Sequence, residues 1–271
     1  MPAPEAAGPS NNPGMQTQWP QSLWLVRHGQ SAGNVARDAA EAGGLPVIEL
    51  AWRDIDVPLS GLGVSQSEAL GDWFAALPAD ERPEVVLCSP CVRTSETARL
   101  VAARGSGDGE AIAIRVDERL REKEFGILDR LTKLGIREKH PDLAEQRLHV
   151  GKFYFRPPGG ESWCDVILRL RSLLEMITRE YPQRRVLVVA HQVVVNCMRY
   201  LIEQMDERTI LDIDSEGDVP NCAVTLYRAP ATARGEPSRP MQVELVNFLA
   251  PLRESATPIT RAPDVPAAAK P

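Results

Sequence analysis

The chain is poor in the residues from which metal centres, disulfide scaffolds and membrane spans are made. Histidine occurs four times in 271 residues, and no run of closely spaced His and Cys supplies a zinc ligand set. The five cysteines, Cys88, Cys91, Cys164, Cys197 and Cys222, are odd in number and scattered. They make no disulfide framework, and they suit reduced thiols in a cytoplasmic protein. Cys88 and Cys91 have the CxxC spacing of a redox pair, but Pro90, Arg93 and Thr94 give the segment another explanation, taken up below. No stretch approaches the roughly 18 apolar residues of a membrane span. The opening MPAPEAAGPSNNPGMQ has neither a basic head nor an apolar run, so it does not read as a signal peptide. A net charge of -6 argues against a nucleic-acid surface while leaving room for a local basic pocket. Internal repeats and long polar linkers are also missing, which favours a single domain.

What remains is an alternation of strands and helices. Residues 1–21, rich in Pro, Ala, Gly and Asn, and 251–271, rich in Pro and Ala, read as disordered tails, because they carry too little apolar surface to offset the entropy of ordering. The folded unit is expected over 22–250. Apolar runs at 22–26, 84–89, 111–116 and 185–190 predict strands, the last a central one buried on both faces. Helical spacing of apolar residues predicts helices over 62–77, 93–104 (closed by Gly105) and 162–180, the last with Ser162 as N-cap. A further helix is expected after His191. The segments CAVTLYR and MQVELVNFL close the sheet as an edge pair. The expected fold class is α/β, a three-layer α/β/α sandwich with a mostly parallel central sheet.

In open parallel sheets, ligands sit beyond the carboxyl ends of the strands. The first strand ends in Arg27-His28, the second in Ser89-Pro90 with Arg93 close behind, and the RVLVVA strand in His191. Two arginines and two histidines from separate segments therefore share one topological position. Their charge suits an anion. Forked guanidinium donors match phosphoryl oxygens, Asn34 and His191 add donors, and an imidazole such as His28 can attack phosphorus.

RHGQSAGN, DVPLSGLGVSQ, CSPCVRTSETA, LREKEFG, PPGGESWCDVILRL and VVAHQ occur in that order. Together they resemble the histidine phosphatase superfamily, and the resemblance runs through 22–227. It implies a phosphoglycerate mutase-like fold and a metal-independent phosphomonoesterase with a phosphohistidine intermediate, needing no cofactor. It nominates His28 as nucleophile, Arg27, Arg93 and His191 around the phosphoryl group, and Glu122 as general acid, with Glu124 as the rival carboxylate. The expected partner is a small phosphorylated substrate, and homo-oligomerisation is left open.

Gln192 after His191 resembles the fructose-bisphosphatase branch, where mutases of the family carry glycine. KFYFRPPGGES resembles that branch's sugar-phosphate segment, with Lys152 and Arg156 on its basic positions. Ser31 and Arg53 complete the expected substrate-binding set, and residues 35–51 read as an insertion able to cover the site. A sugar phosphate or bisphosphate is the first substrate expectation. The alternatives are a phosphoglycerate mutase and a catalytically idle member that binds a phosphorylated ligand.

Overall fold

The computed structural model describes residues 18–107, 111–230 and 240–261. The elements run β1 (Ser22–Arg27), α1 (Ala32–Ala42), α2 (Gly61–Ala76), β2 (Val85–Cys88), α3 (Val92–Gly105), β3 (Ala113–Val116), α4 (Lys133–Lys139) and α5 (Pro141–Val150). They continue with α6 (Trp163–Glu180), β4 (Arg185–Ala190), α7 (Gln192–Ile202), α8 (Glu207–Glu216), β5 (Val224–Arg228), β6 (Gln242–Phe248) and α9 (Ala250–Glu254). The six strands lie in one sheet in the order β3-β2-β4-β1-β5-β6. The first four are mutually parallel; β5 pairs antiparallel with β1, and β6 with β5. This is the expected α/β architecture with a mostly parallel sheet.

Burial follows the apolar pattern. SLWLVR does not alternate, and all six of its residues are buried, as a strand covered on both faces requires. In β4 only Arg185 is less than buried. By contrast β3, at the sheet edge, is exposed along its length. Helix α6 begins with a capping box between Ser162 and Asp165 and buries Val166, Ile167, Leu170, Leu173, Leu174 and Ile177, the apolar stripe of a core-facing helix. Helices α2, α3 and α9 pack together, as do α6, α7 and α8. Trp24 of β1 meets Phe74 of α2 edge-on, with ring centroids 5.8 Å apart.

Within the segment 35–51, α1 occupies the first half and buries Arg37 against Glu41. Three expectations need correction. Gly105 is the last residue of α3, and the left-handed glycine that turns the chain is Gly107 (φ 56°). The C-terminal boundary at 250 is too early: α9 buries Pro251 and Leu252, and the chain stays packed on the body through Thr260. The N-terminal boundary is also slightly late, because Gln21 N–H donates to Arg184 O and Gln183 N–H to Trp19 O. Residues 1–17 and 262–271 lie outside the described residues. Among the described residues, no helix is long and apolar enough to cross a membrane.

Candidate active site

Strand register sets the centre of the site. Arg27 of β1 is level with Ala190 of β4, so the next residues, His28 and His191, emerge side by side. Their rings lie 5.2 Å apart between centroids, inclined at 68°, and both residues are fully buried. His28 Nδ1 is 2.6 Å from Gly29 O. A carbonyl oxygen only accepts, so Nδ1 carries the hydrogen, and the neutral ring keeps its lone pair on Nε2. His191 Nε2 is 2.9 Å from Ser89 Oγ at the end of β2.

The guanidiniums stand at the same end of the sheet. Arg27 is fully buried and donates through Nη1 to Val219 O at 2.6 Å. Arg93, 2% exposed, occupies the first turn of α3. Its Nη1 donates to Asp54 O at 2.6 Å, and its Nη2 lies 3.2 Å from Asp54 Oδ1. One turn further along α3, Thr97 Oγ1 accepts from Gly29 N–H at 3.1 Å, which ties the arginine's helix to the histidine loop. Helices α3 and α7 both begin at this end of the sheet, and neither N-cap residue supplies a side-chain cap. Their first N–H groups and positive dipole ends add to the attraction for an anion.

Of the two rival carboxylates, Glu122 is the buried one, 6% exposed. Its Oε1 accepts from Lys123 N–H at 2.8 Å and its Oε2 from Val193 N–H at 3.4 Å, which seats it over the first turn of α7, two residues past His191. Glu124 projects outward, 57% exposed, and pairs with Arg121 at 3.7 Å. Gly126 (φ 56°) turns the chain behind this carboxylate stretch; a Cβ there would fall 2.1 Å from Pro158 O.

A cleft of about 390 Å³ opens beside this stretch, lined by Arg53, Asp54, Pro90, Cys91, Glu118, Arg121, Glu122, Lys123, Glu124 and Asp129, among others. Burial pulls the Lys123 ammonium down from the usual 10.5 to about 8, against the opposing pull of Glu122 and Glu161. Its Nζ sits 4.4 Å from the centre of the Phe125 ring. Burial, with Asp54 adding to it, holds the Asp129 carboxyl above its usual range. The CxxC thiols of Cys88 and Cys91 are both pushed up by burial, which makes them poor thiolates.

The remaining expected residues divide. Ser31 and Asn34 are buried near His28 but cap α1: Ser31 Oγ accepts from Asn34 N–H at 3.1 Å, and Asn34 Oδ1 accepts from Ser31 N–H at 2.9 Å. Gln192 is buried and donates to Asp218 Oδ1 at 2.7 Å. Arg53 reaches the cleft only at its rim, 80% exposed and paired with Asp56. Lys152 and Arg156 are absent from the cleft lining. Lys152 is bonded to Asp214, and Arg156 donates to Gly160 O at 3.0 Å and lies 3.4 Å from Asp165. Of the aromatics between them, Phe153 joins the main core, Phe155 a second small one with Leu128, Leu131 and Ile136, and Tyr154 is exposed.

Sequence reasoning missed Asp54, Lys123 and Asn221. Asp54 is recognisable only through its distant partner Arg93. Lys123 did have a signal, its place inside LREKEFG beside the nominated acid. Asn221 donates to His28 O at 2.9 Å from 193 residues away.

Two imidazoles, two guanidiniums and a buried carboxylate at one end of a parallel sheet are the parts of a site that handles a phosphoryl group. The chain belongs to the histidine phosphatase superfamily: the model of that superfamily's branch 1 matches residues 23–232. A Caenorhabditis elegans 6-phosphofructo-2-kinase/fructose-2,6-bisphosphatase is 32% identical over 180 residues, covering 66% of this chain and 33% of that protein. The chain thus aligns with only a third of that relative's length. A Rhizobium etli 2,3-bisphosphoglycerate-dependent phosphoglycerate mutase is 29% identical over 211 residues, covering 76% of this chain and 90% of that protein. The fold matches a mycobacterial glucosyl-3-phosphoglycerate phosphatase solved with inorganic phosphate, with a TM-score of 0.62 at 23% identity over 85% of this chain and 99% of that one.

Proposed function

We propose that the chain is a phosphoric monoester hydrolase acting through a phosphohistidine on a small phosphorylated metabolite, a sugar phosphate in the first instance. The observation that carries this reading is the imidazole pair: His28 presents Nε2 with Nδ1–H held by Gly29 O, beside His191. His28 Nε2 attacks phosphorus and the bond to the alkyl oxygen breaks. Glu122, protonated, gives its proton to that leaving oxygen. Water then loses a proton to Glu122 and its oxygen attacks the phosphohistidine, releasing inorganic phosphate and restoring Nε2. Arg27, Arg93 and His191 supply donors to the phosphoryl oxygens throughout. No step calls for a metal, so chelator should leave the rate unchanged.

The cleft supports a polyol leaving group. Its carboxylates Asp54, Glu118, Glu122, Glu124 and Asp129 are interspersed with Arg53, Arg121 and Lys123, and hydroxyls both donate and accept. A second phosphate is less well served, since Lys152 and Arg156 are engaged elsewhere. The coverage of the Rhizobium mutase favours one rival, a mutase that returns the phosphoryl group to a bound intermediate. A panel of sugar phosphates, phosphoglycerates and p-nitrophenyl phosphate tests both. Phosphate release from the panel, lost in His28→Ala, supports the proposal; isomerisation of 3-phosphoglycerate outpacing phosphate release would replace it with the mutase reading.

A further inference from the structure

The segment expected to be a loose tail reaches the nucleophile loop from behind. His28 O accepts from Asn221 Nδ2 at 2.9 Å, and Gln30 N–H donates to Gln66 Oε1 at 2.8 Å. These contacts fix how each amide is turned, because a carbonyl needs the NH2 group and an N–H needs the oxygen. Asn221 Oδ1 and Gln66 Nε2 are then left facing the same third group, the hydroxyl of Thr260. Thr260 Oγ1 donates to Asn221 Oδ1 at 2.9 Å and accepts from Gln66 Nε2 at 3.0 Å. The backbone follows suit: Gln66 Nε2 donates to Pro258 O at 2.8 Å and Asn221 N–H to Thr260 O at 3.0 Å. One hydroxyl thus closes a ring of hydrogen bonds around His28, Gly29 and Gln30. Gln66 and Asn221 are both fully buried, so no water replaces a lost partner without rearrangement. Beneath the loop, the α2 backbone comes so close that a Cβ on Gly63 would fall 1.9 Å from Gln30 O.

We propose that Thr260 is a positioning residue for His28: through Asn221 and Gln66 it holds both peptide groups flanking Gly29, and so the aim of the imidazole. The proposal rests on His28 being the nucleophile. Its consequence is a loss in the rate of phosphoryl transfer with little change in substrate binding, since Thr260 lies behind the loop.

The test uses the full chain with p-nitrophenyl phosphate, following kcat, KM and phosphohistidine at residue 28 after alkaline quench. Thr260→Val removes the hydroxyl at nearly constant volume, and Thr260→Ser keeps it. Misaiming a reacting atom costs rate steeply, so Thr260→Val is expected to lower kcat about tenfold or more, with KM unchanged within about twofold. Thr260→Ser should retain at least about half of wild-type kcat. If Thr260→Val does not fold, Thr260→Ala carries the same expectation. Wild-type kcat in the hydroxyl-free variant, a loss confined to KM, or a serine variant as impaired as valine would each overturn the proposal while the nucleophile assignment stands. Absence of phosphohistidine at 28 in the turning-over wild-type protein would remove the assignment itself, and the proposal with it.

Discussion

Replacing Lys123 with methionine should make the protein more stable and less useful. Lys123 is 8% exposed, and burial lowers its pKa from 10.5 to about 8. A lysine whose folded pKa is depressed weakens the fold wherever that lysine is protonated in the unfolded chain. Below pH 8 both states are charged and the penalty is fully present; it fades as pH rises from about 8 to 10.5, and above that it is gone. The drop of about 2.5 pH units, at 1.36 kcal/mol each, amounts to about 3 kcal/mol at neutral pH. Methionine has similar length and no charge, so Lys123→Met should raise unfolding free energy by about 3 kcal/mol at pH 7 and by close to nothing at pH 10.5. Guanidinium unfolding of both proteins at the two pH values measures the difference, and other titrating groups cancel between them. The same variant should raise KM for a sugar phosphate, since the ammonium lines the cleft. A stability difference that does not change with pH, or a variant less stable at pH 7, would refute the reasoning.

Other outcomes are equally specific. Glu122→Gln should slow hydrolysis of an alkyl phosphate about a hundredfold and of p-nitrophenyl phosphate far less, because a good leaving group needs little protonation; equal losses in kcat would dismiss Glu122 as the acid. Lys152→Ala should cost about 3 kcal/mol of stability by stranding the buried Asp214 carboxylate, with little effect on kcat for p-nitrophenyl phosphate, read by paired melts and kinetics. Phe74→Ala should cost about 3–5 kcal/mol in guanidinium unfolding, because a fully buried ring in edge contact with Trp24 leaves a cavity.

The parts of the molecule legible beforehand are those whose physics is local. The unbroken apolar runs of β1 and β4 announce buried strands, and the apolar stripe and Ser162 cap announce α6. Because parallel strands carry their ligands at one end, the residues that follow those runs could be placed together without knowing the register. What escaped depends on partners far along the chain. Helix α5 buries no residue, so its sequence has no apolar stripe to read. The small core of Leu128, Leu131, Ile136 and Phe155 is assembled from turns and the two-turn helix α4, which are too short to show a period. The pairing of Lys152 with Asp214, 62 residues further on, has no local signal. Thr260 sits among prolines and alanines that suggest disorder, and its order comes from Gln66 and Asn221 rather than from its neighbours.

The position of β1 between β4 and β5 has a consequence for how the molecule is made. The strand that leads into His28 is synthesised before the other strands of its sheet, yet its two sheet neighbours begin at residues 185 and 224. Until residue 185 has been synthesised, β1 has neither edge satisfied, and pairing across such separations is slow. A nascent chain stopped short of residue 191 lacks the second imidazole altogether, so catalytic competence should arrive abruptly and only after that residue is in place. For the same span of time, a largely apolar strand stands open to wrong partners.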